Sequence, residues 1–292
     1  MTKQAFGGNW TEDKLNRVRK YLAAYSTIMN KMPYFSYAYI DAFAGTGYRE
    51  LKQEEDRGLP LFPEFDLETQ KFFDGSPRIA LQVKPRFHKY IFIEKNENKV
   101  RELEKLKDEF KEQASDILII NEDANQYIAK LCNGDWKKRR AVLFLDPFGM
   151  NVGWDTIEAI ARTKAIDLWY LFSIMGVNRL LKNDGNIEES NKKKLDNIFG
   201  TMDWYDSFYR ARGGADLFGE YSWMEKTADG KSIGQYFVDR LKTIFPGVAE
   251  NPLFLYNSRN TPLFLLCFAA ANEKGAKTAI KIAQHILKKS SN

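Results

Sequence analysis

The feature that most constrains this chain is a repeated alternation. Short, almost unbroken apolar runs are each followed by a stretch of helical periodicity. YAYIDAF (37–43), KYIFIE (89–94), ILIINEDA (117–124), AVLFLDPFG (141–149) and DLWYLFS (167–173) read as strands. NENKVRELEKLKDEF (96–110) reads as a helix, with Asn96 as cap and Val100, Leu103, Leu106 and Phe110 along one face. A short helix through Ile128 and Leu131 and another over 154–164 complete the pattern. Strands apolar on both faces and separated by amphipathic helices belong to a parallel sheet covered on both sides. The expectation is a doubly wound α/β fold.

A helix over 11–30 precedes this unit, with Thr11 as cap, Glu12 and Asp13 at the positive end of its dipole, and Leu15, Val18, Leu22, Tyr25 and Met29 as an apolar stripe. Two segments interrupt the alternation. Residues 48–74 form a loop insertion between the first strand and a helix that opens with Ser76 as cap and Pro77 at the first turn. Residues 177–231 form a second, helical insertion, with helical patterns at 187–199 and 203–210 and a glycine turn at Gly213-Gly214. The sheet unit, 1–176 plus 232–292, then resumes with a helix at 232–245, strands at 253–258 and 263–271, and a closing helix over 274–289. Only Arg259 to Pro262 join the last two strands, too short a link for a crossover, so they pair antiparallel. The sheet is thus expected to have seven strands, mostly parallel, with a terminal antiparallel hairpin.

Composition narrows the class. Of 292 residues, 44% are hydrophobic and 28% charged, which supports a large core and excludes a disordered or fibrous chain. Cys132 and Cys267 lie far apart with no histidine partner, so neither a disulfide framework nor a metal site is expected. Charge-free stretches such as 168–178 and 262–272 fall well short of the roughly 20 residues a membrane helix needs. The opening MTKQAFGGNWTEDK lacks the apolar core of a signal peptide, so the expected compartment is the cytoplasm. The net charge of +5 permits approach to phosphate without demanding it. Lys137 to Arg140 is the densest basic run, followed by Lys192 to Lys194, and each reads more as a solvated helix end or loop than as a phosphate contact. Between 177 and 216 seven basic residues meet seven acidic ones, so this insertion is no basic clamp.

Four successive strand ends carry polar or glycine motifs, and ligands of such sheets bind at the carboxyl ends of strands. Asp41-Ala42-Phe43-Ala44-Gly45-Thr46-Gly47 is a loop whose glycines let backbone turn sharply and approach a ligand. It lacks the third glycine of a dinucleotide fingerprint and the Lys-Ser/Thr of a P-loop. Glu94 ends the second strand, where a carboxylate can accept both hydroxyls of a ribose at about 1.5–3 kcal/mol each, or simply cap the next helix. Asp123, before Ala124, can accept from an adenine amino group or serve as an N-cap. Asp146-Pro147-Phe148-Gly149 offers a carboxylate and a carbonyl to an NH2 group and an aromatic face to a planar base, or forms a tight turn over a buried Phe. Pro147 stiffens it.

The segments NWTEDKLNRVRKYLAAY (9–25), YIDAFAGTG (39–47), DGSPRIAL (74–81), YIFIEKN (90–96), FLDPFGM (144–150) and PLFLLCFAAANEKG (262–275) resemble class I S-adenosylmethionine-dependent methyltransferases, and more closely the three-Cys-motif partner (TcmP) family. The three cysteines of that family's name belong to a partner related to radical-SAM enzymes, so two cysteines here are no contradiction. The DPFG tetrapeptide is also similar to the motif of tRNA guanine-N2 methyltransferases. It departs from the Asp/Asn-Pro-Pro-Tyr/Phe of amino-methyltransferases, having its aromatic third and glycine fourth. The resemblance implies a Rossmann-like domain that binds S-adenosyl-L-methionine. Asp41 would hold the methionine amino group, and Phe43, Gly45 and Gly47 would line the cofactor. Glu94 would take the ribose, and Asp123 with the Ala124 backbone the adenine. Asp146 and the Pro147 carbonyl would orient the acceptor amine, with Phe148 stacking. The implied partners are a radical-SAM-like three-Cys-motif protein and a nucleic acid, gripped by the two insertions; no membrane partner is expected.

Three functions follow as expectations. The first is methylation of an exocyclic amine on a nucleic-acid base, the second methylation of a protein or small molecule linked to the three-Cys partner. The third is a cofactor-fold binding module without transfer. A nicotinamide dehydrogenase ranks well below them, because its third glycine is missing. Neither His88, before a strand, nor His285, in the last helix, reads as catalytic.

Overall fold

The computed structural model describes residues 10–47, 75–147, 149–217, 219–257 and 259–288. In chain order they form α1 (Trp10–Met29), β1 (Ser36–Asp41), α2 (Ser76–Gln82), β2 (Lys89–Ile93), α3 (Glu97–Glu109), β3 (Ile117–Ile120), α4 (Ala124–Cys132), β4 (Arg139–Leu145), α5 (Trp154–Arg162) and β5 (Ile166–Ser173). There follow α6 (Ile174–Leu180), α7 (Glu189–Phe199), α8 (Trp204–Phe208), β6 (Tyr209–Asp216), β7 (Gly219–Lys226), α9 (Gly230–Lys242), β8 (Gly247–Val248), β9 (Leu253–Tyr256), β10 (Pro262–Ala270) and α10 (Glu273–Leu287).

The main sheet runs β3-β2-β1-β4-β5-β10-β8, with β9 also on β10. The five strands from β3 to β5 are mutually parallel, and β10 is antiparallel to β5, β8 and β9. This is the expected α/β arrangement with its terminal antiparallel hairpin. It has eight strands rather than seven, the addition being Gly247–Val248. Chain order reverses between β1 and β4, because β2 and β3 are laid down on one side of β1 before β4 returns to the other. That reversal opens a crevice at the carboxyl ends of β1 and β4.

Alternation along each strand sends successive side chains to opposite faces. Ile40, Ile93, Leu143 and Tyr170 pack in one cluster with Ile128 of α4, Ile157 of α5 and Phe237 of α9. Tyr39, Phe92, Phe144 and Trp169 pack in the other with Leu22 of α1, Leu81 of α2, Leu103 of α3 and Ala283 of α10. Both faces are therefore buried, which is why the strands read as unbroken apolar runs. Asp41, Glu94 and Asp146 fall two residues beyond Tyr39, Phe92 and Phe144, so they continue the α1 side of the sheet.

Two ties hold α1 in place. Tyr21 Oη donates to Asp167 Oδ2 of β5 at 2.6 Å. Arg17, itself buried, donates to the carbonyls of Ile286 and Lys288, at the carboxyl end of α10. Those terminal carbonyls have no partner within their own helix.

Three local expectations are corrected. The helix is described from Trp10, so Thr11 lies inside its first turn and is not the cap. Gly75, not Ser76, is the N-cap of α2, which frees the Ser76 hydroxyl for Asp41. The 177–231 insertion is only partly helical: after α7 and α8, β6 and β7 form an antiparallel hairpin, and Gly213-Gly214 lies within a strand instead of a turn. Leu195, Phe199, Trp204 and Phe208 of this insertion join the same core as the sheet. The 48–74 insertion lies outside the described residues. Its flanking glycines meet, the Gly75 amide donating to the Gly47 carbonyl at 3.4 Å, so the excursion leaves and re-enters at one point beside β1.

Candidate active site

At the end of β1 the chain bridges its two neighbours. The Ala42 amide donates to the Phe144 carbonyl of β4 and the Ala44 amide to the Ile93 carbonyl of β2, both at 3.1 Å. The glycine loop is thereby laid across the crevice. Gly45 and Gly47 adopt φ of +64° and +68°, a region L side chains rarely occupy. A Cβ at Gly47 would stand 3.0 Å from Leu106 Cδ1, whereas one at Gly45 would meet nothing within 4 Å. Gly47 is therefore a packing glycine, and Gly45 faces open space.

Glu94 ties that loop to the next strand end. Its Oε2 accepts from the Gly45 amide at 3.1 Å and its Oε1 from the Asn96 amide at 2.9 Å. Asn96 caps α3, as expected. A carboxylate has about four acceptor positions, so two backbone bonds leave capacity for a ligand. One strand further, Asp123 Oδ1 caps α4 by accepting from Asn125 and Gln126, and its Oδ2 lies 3.6 Å from Lys95 Nζ. The N-cap expectation holds for Asp123. The Ala124 amide is the first of that helix, a position with no intrahelical acceptor.

Asp41 is fully buried. Its oxygens accept from Tyr39 Oη at 3.1 Å, from the Phe43 amide at 3.4 Å and from the Ser76 hydroxyl. Burial pushes its carboxyl up to about 7, and the charge of nearby Asp146 acts in the same direction; the Ser76, Tyr39 and Phe43 bonds oppose both. Phe43, half-buried, packs against the core on the α4 face. Asp41 thus braces the start of the loop from within.

Asp146 follows β4 and keeps a quarter of its side chain exposed, while Pro147 is buried. Lys14 Nζ of α1 lies 2.5 Å from Asp146 Oδ2 and 5.9 Å from the centre of the Phe144 ring. Gly149, at φ +83°, turns the chain, and Phe148 lies outside the described residues. The loop that follows is pinned by Asn125. Its Nδ2 donates to the Asn151 carbonyl at 2.7 Å, and its Oδ1 accepts from the Gly153 amide at 3.2 Å and Thr156 Oγ1 at 2.8 Å.

The strand order thus sets Asp123, Glu94, the glycine loop and Asp146 side by side at the ends of β3, β2, β1 and β4. Sequence reasoning missed Lys14, Ser76 and Asn125. For Lys14 a signal was present, a charged residue four before Val18 and seven before Tyr21 on the buried face of its helix. Among the described residues no cluster of three metal-ligating side chains occurs, and no helix is long and apolar enough to cross a membrane.

No family model and no curated protein matches the chain. Among solved structures it is similar to protein LPL1258 from Legionella pneumophila, at 13% identity and TM-score 0.40 over 82% of this chain and 94% of that one. It is also similar to an S-adenosylmethionine-dependent methyltransferase from Clostridium acetobutylicum, at 11% and 0.35 over 85% and 90%. A third is magnesium protoporphyrin IX methyltransferase from Synechocystis, solved with bound S-adenosylmethionine, at 11% and 0.30 over 73% and 78%. Likenesses this slight decide nothing about chemistry.

Proposed function

We propose that this chain is an S-adenosyl-L-methionine-dependent N-methyltransferase whose acceptor is an exocyclic amine of a nucleic-acid base. The observation that carries the reading is the order of acceptors along one sheet edge: Asp123, then Glu94, then the open glycine, then Asp146. Strands lie about 4.8 Å apart, so the cofactor side of the row, from β3 to β1, spans roughly 10 Å, and the acceptor side lies one strand further. The finer kinship with three-Cys-motif partner proteins belongs to this proposal and rests on the segments quoted above.

The residues suit the group. Asp123 and the Ala124 amide present an acceptor and a donor to adenine, Glu94 presents acceptors to the ribose hydroxyls, and Gly45 leaves space where any side chain would intrude. When bound, the cofactor supplies an electrophilic methyl group on a cationic sulfur. Asp146 and the Pro147 carbonyl accept hydrogen bonds from the acceptor amine and point its lone pair along the transfer line. Such alignment supplies at most about 7–11 kcal/mol of barrier reduction. A base inside a duplex has to be flipped or offered single-stranded. The test is transfer of labelled methyl to tRNA and single-stranded DNA by the wild type and Asp146→Ala. Cofactor binding survives the substitution and transfer is abolished; unchanged turnover removes Asp146 from the acceptor site.

One observation favours a protein or small-molecule acceptor instead: the hairpin sets Arg212 against Glu225 at 2.6 Å, and the insertion around it is electrically balanced. Affinity for a polyphosphate falls steeply with salt, so a salt titration of acceptor binding separates the two.

A further inference from the structure

Lys14 is a charged residue in the apolar stripe of α1. It stands on the buried face of α1 beside Leu15, Val18, Tyr21 and Leu22, and its side chain keeps 5% of its exposure. An ammonium taken so far out of water is destabilising unless a counter-charge replaces its hydration. That counter-charge is Asp146, 132 residues away, at the strand end where the acceptor is read to bind.

Among the described residues, the charged and titratable groups set against Asp146 come from two elements. Lys14 approaches from α1; Asp41 and Tyr39 lie on β1, with Asp41 close enough for the charge of Asp146 to act on it. Two neighbouring carboxylates repel, and a free Asp146 side chain would rotate to relieve that repulsion. Lys14 opposes this in two ways: its hydrogen bond takes one named oxygen, and its charge offsets the repulsion.

We propose that Lys14 is a positioning residue of the transfer step, gripping Asp146 Oδ2 so that the carboxylate is held in one orientation and Oδ1 is left to the acceptor amine. The inference rests on the role given to Asp146 above. It assigns α1 a part in the reaction through another residue.

The experiment compares wild type, Lys14→Met, Lys14→Gln, Lys14→Arg and Asp146→Ala. Labelled methyl transfer to tRNA and single-stranded DNA gives kcat and acceptor KM; calorimetry gives S-adenosylhomocysteine affinity. In Lys14→Met the expected result is an affinity within about threefold of wild type and a kcat lowered by about 30-fold or more. Lys14→Arg recovers most of the kcat, because a guanidinium can hold the same oxygen. Should Lys14→Met fail to fold, Lys14→Gln, which keeps a donor without charge, is read by the same measures. Wild-type kcat in the Met and Gln variants, with Asp146→Ala inactive, overturns the inference and leaves the reading of Asp146 intact. An Arg variant as impaired as Met also overturns it, leaving Lys14 a structural residue. Full activity in Asp146→Ala, or no transfer by the wild type, overturns the reading and the inference with it.

Discussion

Glu94 and Gly45 are joined by a hydrogen bond of 3.1 Å from the loop amide to carboxylate Oε2, and the other oxygen of Glu94 accepts from Asn96. One side chain thus fixes the glycine loop of β1 to the start of α3. Glu94→Gln keeps an acceptor for one amide and loses the other. Its expected effect is a loss of cofactor affinity of about 10- to 100-fold, the equivalent of one or two charge-assisted bonds, with a stability cost of about 1 kcal/mol. Calorimetric titration and urea unfolding read the two separately.

The two loop glycines separate stability from binding. Gly45→Ala and Gly47→Ala each place a Cβ at positive φ, at a cost of roughly 1–2 kcal/mol. At Gly47 the new atom also meets Leu106 at 3.0 Å, so its loss of stability exceeds that of Gly45→Ala. Gly45→Ala, pointing into open space, loses more cofactor affinity for less stability. Equal effects of the two substitutions on both measures would contradict this division.

Asn125 holds the chain after Asp146 by three hydrogen bonds, to Asn151, Gly153 and Thr156. Asn125→Ala removes those three bonds and lowers stability by about 1–3 kcal/mol. It also lowers kcat by more than it raises the cofactor dissociation constant, because the loosened loop belongs to the acceptor side. Denaturation and steady-state kinetics check both parts.

Much of this was legible in the sequence, and the limits are physical. The strands from β1 to β5 announce themselves because burial on both faces demands unbroken apolar runs, and Asn96 and Asp123 sit where caps belong. β8 is two residues long, below any periodicity. The β6–β7 hairpin is exposed along most of its length, with Tyr221 and Trp223 about half in solvent, so no apolar alternation marks it, and its paired glycines imitate a turn. The Lys14–Asp146 pair spans 132 residues, a separation no local pattern encodes. Ser76 looked like a cap because serine before proline suits one; the third dimension offered its hydroxyl to Asp41 instead.

Asp167 gives a pH prediction. Burial pushes its carboxyl up to about 7, with the Tyr21 hydrogen bond and the charge of Arg140 opposing. The folded protein therefore holds this proton more tightly than the unfolded chain. The resulting stability is fully present below pH 4 and is lost as pH rises to about 7, with a slope of at most about 1.4 kcal/mol per pH unit. Asp167→Asn removes that loss, so its stability falls less than that of the wild type between pH 4.5 and 7.5. Urea midpoints across this range measure the difference, and parallel curves would refute it.

The central claim is that the ends of β3, β2 and β1 together form a seat for S-adenosylmethionine, with the acceptor at the end of β4. The most direct measurement is calorimetric titration of S-adenosylhomocysteine into the wild type, Glu94→Ala and Asp123→Ala. The account predicts saturable one-to-one binding by the wild type and weakening by both substitutions, at the ends of the neighbouring strands β2 and β3. No binding by the wild type, or binding indifferent to both carboxylates, would contradict it.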